Sequence, residues 1–153
     1  MAQLKEKGIY QVPDGLLEKI QSVFWSGCCD DDATKAAIGR LWNQHGYLAD
    51  THTAVAWRVA QDYKAACADH NPVVVLSTAS PYKFPAAVLE GLGEETDGDG
   101  FDAMERLHAL TGVPVPANLQ GLRQREVLHW DVIDREDMLS YVLEKAGEAV
   151  WSK

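Results

Sequence analysis

Apolar positions recur at helical spacing through most of the chain. In "VPDGLLEKIQSVFWSG" (12–27), Leu16, Leu17, Ile20 and Phe24 share one face, and Gly27 is placed to stop a helix. "DDDATKAAIGRLWNQHG" (30–46) predicts a second helix, with Asp32 as its cap and Gly46 as its stop. Its stripe is Ile38, Leu41, Trp42 and His45, which makes His45 a structural histidine. "THTAVAWRVAQDYKAACA" (51–68) predicts a third, with Ala56, Val59, Ala60 and Tyr63 in register. Shorter helices follow over 84–92 and 101–112. "DREDMLSYVLEKAGEAVW" (134–151) closes the set, with Asp134 as cap and Leu139, Val142, Leu143 and Ala146 as its stripe.

Two stretches break the helical period. Residues 73–77 form a short β-branched apolar run, the type expected of a strand covered on both faces. "EVLHWDVI" (126–133) predicts a second strand and contains His129. The acidic 93–100 and the proline-bearing 113–125 read as loops. The expected fold class is α/β: helix-rich, with a partial open sheet. Two strands are few, since sheets average about five or six. The pattern therefore predicts a piece of a larger fold: residues 1–153 as a single domain or a fragment of one.

Composition narrows the function classes. The net charge of −9 argues against a nucleic-acid partner, which needs a basic footprint. No apolar run nears the roughly 18 residues of a membrane span, so no membrane partner is expected. The first residues, "MAQLKEKGIYQVP", lack a signal-type apolar core. Three cysteines, two of them adjacent, make a poor disulfide framework and suit a reducing, cytoplasmic setting.

Metal chemistry finds no pattern. A calcium loop begun at Glu95 would use Asp97, Asp99 and Gly100, but its twelfth position is Arg106, where a bidentate glutamate is needed. Cys28 and Cys29 are adjacent, whereas zinc ligands are spaced to let the chain wrap. Asp30, Asp31 and Asp32 read instead as complements to a helix dipole. The histidines at 45, 52, 70, 108 and 129 show no paired-ligand spacing. Ser80 lies outside any G-x-S-x-G elbow and has no adjacent base, so it is not a nucleophile candidate.

Two clusters remain. "YLADTHTAVA" (47–56) puts Asp50, Thr51, His52 and Thr53 at a helix start, either as a cap or as part of a site. "VVVLSTASPYKF" (73–84) runs an apolar strand into Ser77, Thr78 and Ser80, with Lys83 beyond. The C-terminal lip of a strand is where open α/β sheets hold ligands.

Together these segments resemble a known family. "GYLADTHTAVA" (46–56) is similar to the G-Y-x-x-D-P-H-T-A-V segment of threonine synthases. "VVVLSTASPYKFPAAV" (73–88) is similar to their V-V-L-x-T-A-H-P-A-K-F-P-x-A-V segment, in the same order and at a similar separation. Residues 8–42 resemble the helical stretch before them. The resemblance implies the C-terminal piece of the large domain of a fold type II pyridoxal-phosphate enzyme. It implies conversion of O-phospho-L-homoserine and water to L-threonine and phosphate, a carbon–oxygen lyase reaction of threonine biosynthesis.

By the same resemblance, Thr78 meets the pyridine nitrogen of the cofactor, pyridoxal 5'-phosphate. His52, Thr53 and Lys83 are residue types suited to the substrate phosphate. The Schiff-base lysine and the phosphate-binding glycine loop of the family have no counterpart in this sequence. No catalytic residue is therefore expected in the chain, which alone should be inactive, and its cut sheet should self-associate. The departures are Ser80 where many members carry His, Tyr82 where they carry Ala, and Thr51 where they carry Pro. Other readings are a non-catalytic interaction or small-molecule-binding domain, and another fold type II lyase such as a threonine deaminase or a sulfhydrylase.

Overall fold

A computed structural model describes residues 2–151, with side chains described through 147. Among the described residues seven α-helices form: α1 (Ala2–Lys7), α2 (Leu16–Gln21), α3 (Asp31–His45), α4 (Thr51–Cys67), α5 (Pro85–Gly91), α6 (Gly100–Thr111) and α7 (Met138–Trp151). The chain divides into two compact units, Met1–Gln120 and Gly121–Lys153.

The core of the first unit is built by α3, α4, α5 and α6. Ala37, Ile38 and Leu41 from α3 meet Val88 and Leu89 from α5, and Ala103 and Leu107 from α6. Ala54 of α4 and the preceding Leu48 and Ala49 complete it. Each helix start has a local cause. Asp30, rather than Asp32, caps α3, accepting from the Ala33 amide at 2.8 Å. Asp31 and Asp32 then lie in the first turn, where negative charge complements the helix dipole. Gly46 ends α3 in the left-handed region at φ 64°, where a side chain would be strained. The acidic loop is a capping device. Asp99 accepts from the Phe101 and Asp102 amides, and Asp102 answers by accepting from the Asp99 amide. Arg106, the residue that spoils a calcium loop, donates to Glu94 at 2.7 Å.

The partial open sheet is not present: no strand forms among the described residues. Residues 72–78 form neither helix nor strand, and neither do 126–134. The physical reason is that a strand is defined by its ladder, and neither segment makes ladder hydrogen bonds with another described residue. Val74 is 82% exposed and Leu76 73%, so the β-type run faces outward.

Other expectations shift with it. The first predicted helix contracts to Leu16–Gln21 and closes at Ser22, six residues before Cys28. His45 is exposed rather than structural, because the α3 stripe turns to solvent after Trp42. The α4 stripe of Ala56, Val59, Ala60 and Tyr63 is not the core face. It lines an open apolar groove of about 490 Å³ with Trp25 and Val74. The buried residues of α4 are Thr53 and Ala54. In the second unit, Asp134 makes no side-chain cap, and Leu139, Val142 and Leu143 of α7 are exposed.

Tyr82 departs from the family pattern and proves to be a core residue. It is 2% exposed, and its hydroxyl donates to the Val113 carbonyl. That ties the turn before α5 to the loop after α6. Burial pushes the phenol above its ordinary value of 10.0, against a smaller opposing effect of the Thr111 hydroxyl. A raised folded value favours the folded state until the unfolded phenol ionises. This contribution is therefore complete below about pH 10 and is lost as pH rises through the folded value. Melting temperatures should fall over that alkaline range. Tyr82→Phe should flatten the fall, and an unchanged slope would contradict the burial argument.

Candidate functional site

The two sequence clusters come together in the first unit. The start of α4 is held by Asp50, whose residue is 1% exposed. Its Oδ1 accepts the amides of His52 at 2.9 Å and Thr53 at 3.2 Å. The Thr53 hydroxyl donates to Oδ2. An aspartate N-cap satisfies amides that a helix start otherwise leaves unpaired. The carboxylate is thus fully engaged even though it is buried.

Ser77, at the end of the extended apolar run, reaches this cap. Its Oγ lies 3.3 Å from Thr53 Oγ1 and accepts the Tyr47 hydroxyl at 3.0 Å. The hydroxyl-rich lip is thereby tied to the start of α4 across 24 and 30 residues of sequence. Ser80 caps the 3₁₀ turn Pro81–Lys83 by accepting the Tyr82 amide at 3.3 Å. Its position in place of a family histidine is therefore that of a turn cap.

The four residues singled out in the sequence have different surroundings. Thr78 is exposed, and its hydroxyl bonds no other described residue. Thr53 is buried and its hydroxyl is turned inward to Asp50. His52 is exposed, its Nδ1 is 3.3 Å from Asp50 Oδ1, and its ring tilts against Phe84 with centroids 5.6 Å apart. Lys83 places its Nζ 5.6 Å from the centroid of the same Phe84 ring. Phe84 therefore joins His52 and Lys83. The sequence reading missed it, because a lone aromatic in a turn has no period to betray it. The adjacent C-terminal proline, which fixes the start of α5, was the available signal.

Beside this ring runs a groove of about 460 Å³, lined by Cys29, Lys35, Thr51, His52, Phe84 and Glu90 among others. Lys35 and Glu90 pair across its edge at 2.6 Å. The Glu90 carboxylate raises the Lys35 ammonium above its ordinary 10.5, first by hydrogen bonding and then by charge. The groove therefore carries a fixed cation at neutral pH, already partnered. Among the described residues, no three or more histidine, cysteine, aspartate or glutamate side chains gather as a metal cluster. No helix of the described residues is long and apolar enough to cross a membrane.

Residues 53–140, more than half of the chain, match the family model described as "Threonine synthase, C-terminal". The chain is 33% identical over 121 residues to threonine synthase-like 1 of Mus musculus, covering 76% of this chain and 16% of that protein. It is 33% identical over 91 residues to the threonine synthase of Pseudomonas aeruginosa, covering 59% of this chain and 19% of that one. In structure it is similar to the PLP-bound threonine synthase of Brucella melitensis. The TM-score is 0.57 at 34% identity, over 69% of this chain and 22% of that one. The chain spans about a fifth of the length of the curated relatives it matches. It belongs to the threonine synthase family and corresponds to the C-terminal portion of that fold.

Proposed function

We propose that this chain forms one wall of a pyridoxal-phosphate site that converts O-phospho-L-homoserine and water to L-threonine and phosphate. The observation that carries this is the Ser77–Thr78 lip, held against the α4 cap through Ser77, with Thr78 left exposed. A neutral hydroxyl can accept from or donate to a ring nitrogen without forcing its protonation. A carboxylate at the same place would hold the nitrogen protonated and strengthen the electron sink that the cofactor supplies when bound. Thr78 fits that role. His52 and Lys83, brought together on Phe84, are the groups assigned to the substrate phosphate. Thr53 serves them indirectly, by fixing the Asp50 cap that orients His52.

The extended 73–77 segment belongs, on this reading, to a sheet whose remaining strands lie in the parts of the family fold that this chain does not match. Its outward apolar side chains and unpaired backbone support this, since an exposed strand edge is a pairing surface. The same exposure is the ground for proposing self-association of the isolated chain.

The catalytic lysine and the phosphate loop of the family are assigned to those other parts as well. The purified 153-residue chain, given pyridoxal phosphate and O-phosphohomoserine, should release no phosphate above the cofactor-only background. Turnover by the chain alone would overturn the division of labour proposed here.

A further inference from the structure

The His52 ring is held at two places. Its Nδ1 lies 3.3 Å from Oδ1 of Asp50, a side chain with 0% exposure, while the histidine side chain is 59% exposed. The same Oδ1 accepts the His52 amide at 2.9 Å, so one oxygen holds both the backbone and the ring of one residue. The ring tilts against Phe84, with centroids 5.6 Å apart. These contacts leave Nε2 without a hydrogen-bond partner among the described residues. Lys35 and Glu90, which line the same groove, are engaged with each other.

Charge settles which nitrogen carries the proton of the neutral ring. An unprotonated Nδ1 would turn its lone pair towards a carboxylate oxygen and be repelled, whereas an Nδ1–H is attracted. The Thr51 hydroxyl, 3.4 Å from Nδ1, favours neither form, because it can donate to the one or accept from the other. Contact with an ionised group also outweighs contact with a neutral hydroxyl, by about a factor of two. Water screens the exposed side of the ring, but the Asp50 side is closed to it.

We propose that Asp50 is a positioning residue for His52: it fixes the Nδ1–H tautomer and so presents Nε2 as the nitrogen that meets a ligand. This deepens, and rests on, the reading of His52 as a group for the substrate phosphate. A phosphate ester loses its second proton near about pH 6, so one proton is shared between Nε2 and a phosphate oxygen. It either sits on the ester and is donated to Nε2, or sits on Nε2 and is donated to the ester. In the second case the ring is charged at the positive end of the α4 dipole, and Asp50 supplies the counter-charge.

The test uses the full 153-residue chain without ligand. The protonated nitrogen of His52 is read from its ring nitrogen shifts in two-bond proton–nitrogen correlation spectra, in alkaline solution with the ring neutral. His52→Gln assigns the signals, and core amides of α3 and α5 report folding. The proposal expects the Nδ1–H form to be the major one. Asp50→Asn keeps a capping acceptor, and should lower the ratio of the Nδ1–H to the Nε2–H form about fivefold. Thr51→Val should leave the Nδ1–H form major. An Nε2–H majority in wild type, or an unchanged ratio in folded Asp50→Asn, would overturn the proposal. So would an Nδ1–H form that disappears in Thr51→Val, a result that stands even if Asp50→Asn does not fold. With no ligand present, these results do not depend on what His52 binds. That reading is tested by His52→Gln in an assembled enzyme, where KM for O-phosphohomoserine should rise about tenfold with kcat little changed. An unchanged KM would remove the phosphate reading and leave the tautomer result standing.

Discussion

Gly39→Ala should destabilise the first unit by about 3 kcal/mol, the upper range for overpacking, and lower its melting temperature by roughly 10 °C. A Cβ at Gly39 of α3 would stand 2.5 Å from the carbonyl oxygen of Gly91, at the end of α5. The obstacle is backbone, so no side chain can rotate away and the two helices must part. In an open helix the same substitution would stabilise by up to about 1 kcal/mol, since alanine is the better helix former. The clash outweighs that gain. Parting the helices would loosen Ile38 against Val88 and Leu89, residues with no exposure at all. Gly100→Ala is the control. An added Cβ there meets nothing within 4 Å, so its effect should stay within about 0.5 kcal/mol. Thermal denaturation of both variants checks the argument, and equal melting temperatures would contradict it.

Much of this fold could be read from spacing and caps. The periodic stripe of α3, its glycine stop and the loop–helix sequence around α6 all depend on neighbours within a few residues. The structure reproduces them with two changes: the α3 cap moves by two residues from Asp32 to Asp30, and the stripe ends at Trp42, leaving His45 exposed. What could not be read depends on distant neighbours. The run Val73–Leu76 has the composition of a buried strand, but composition does not provide a ladder partner, and the described residues do not either. The α4 stripe obeys the helical period, yet its groove is open while Thr53 and Ala54 face the core. Periodicity identifies an apolar face but not what covers it.

The site shows the same division. The clusters 50–53 and 77–83 were visible as hydroxyls and charges at element ends, and their resemblance to one family tied them together. Their physical connection was not visible. The hydrogen bonds of Ser77 to Tyr47 and Thr53 span 30 and 24 residues and leave no periodic trace. The roles of Tyr82 and Phe84 were not visible for a related reason. Each is a lone aromatic in a short turn, and only the folded chain shows one reaching the Val113 carbonyl and the other joining His52 to Lys83.

The assignment of Thr78 carries the second large effect. A hydrogen bond to a polar ligand atom in a shielded site is worth about 1–3 kcal/mol, and each 1.4 kcal/mol of transition-state stabilisation is about a factor of ten in rate. Losing the Thr78 hydroxyl should therefore slow turnover by roughly ten- to a hundredfold. Valine has nearly the same shape, so packing of the lip should hold.

The most direct measurement replaces the matching C-terminal region of the Brucella melitensis threonine synthase with residues 46–120 of this chain. Threonine and phosphate formation from O-phosphohomoserine is then followed with Thr78 intact and with Thr78→Val. The account predicts an active chimera that loses roughly ten- to a hundredfold in kcat on Thr78→Val, with the cofactor still bound. A folded, cofactor-loaded chimera whose rate is the same with threonine or valine at position 78 would contradict it.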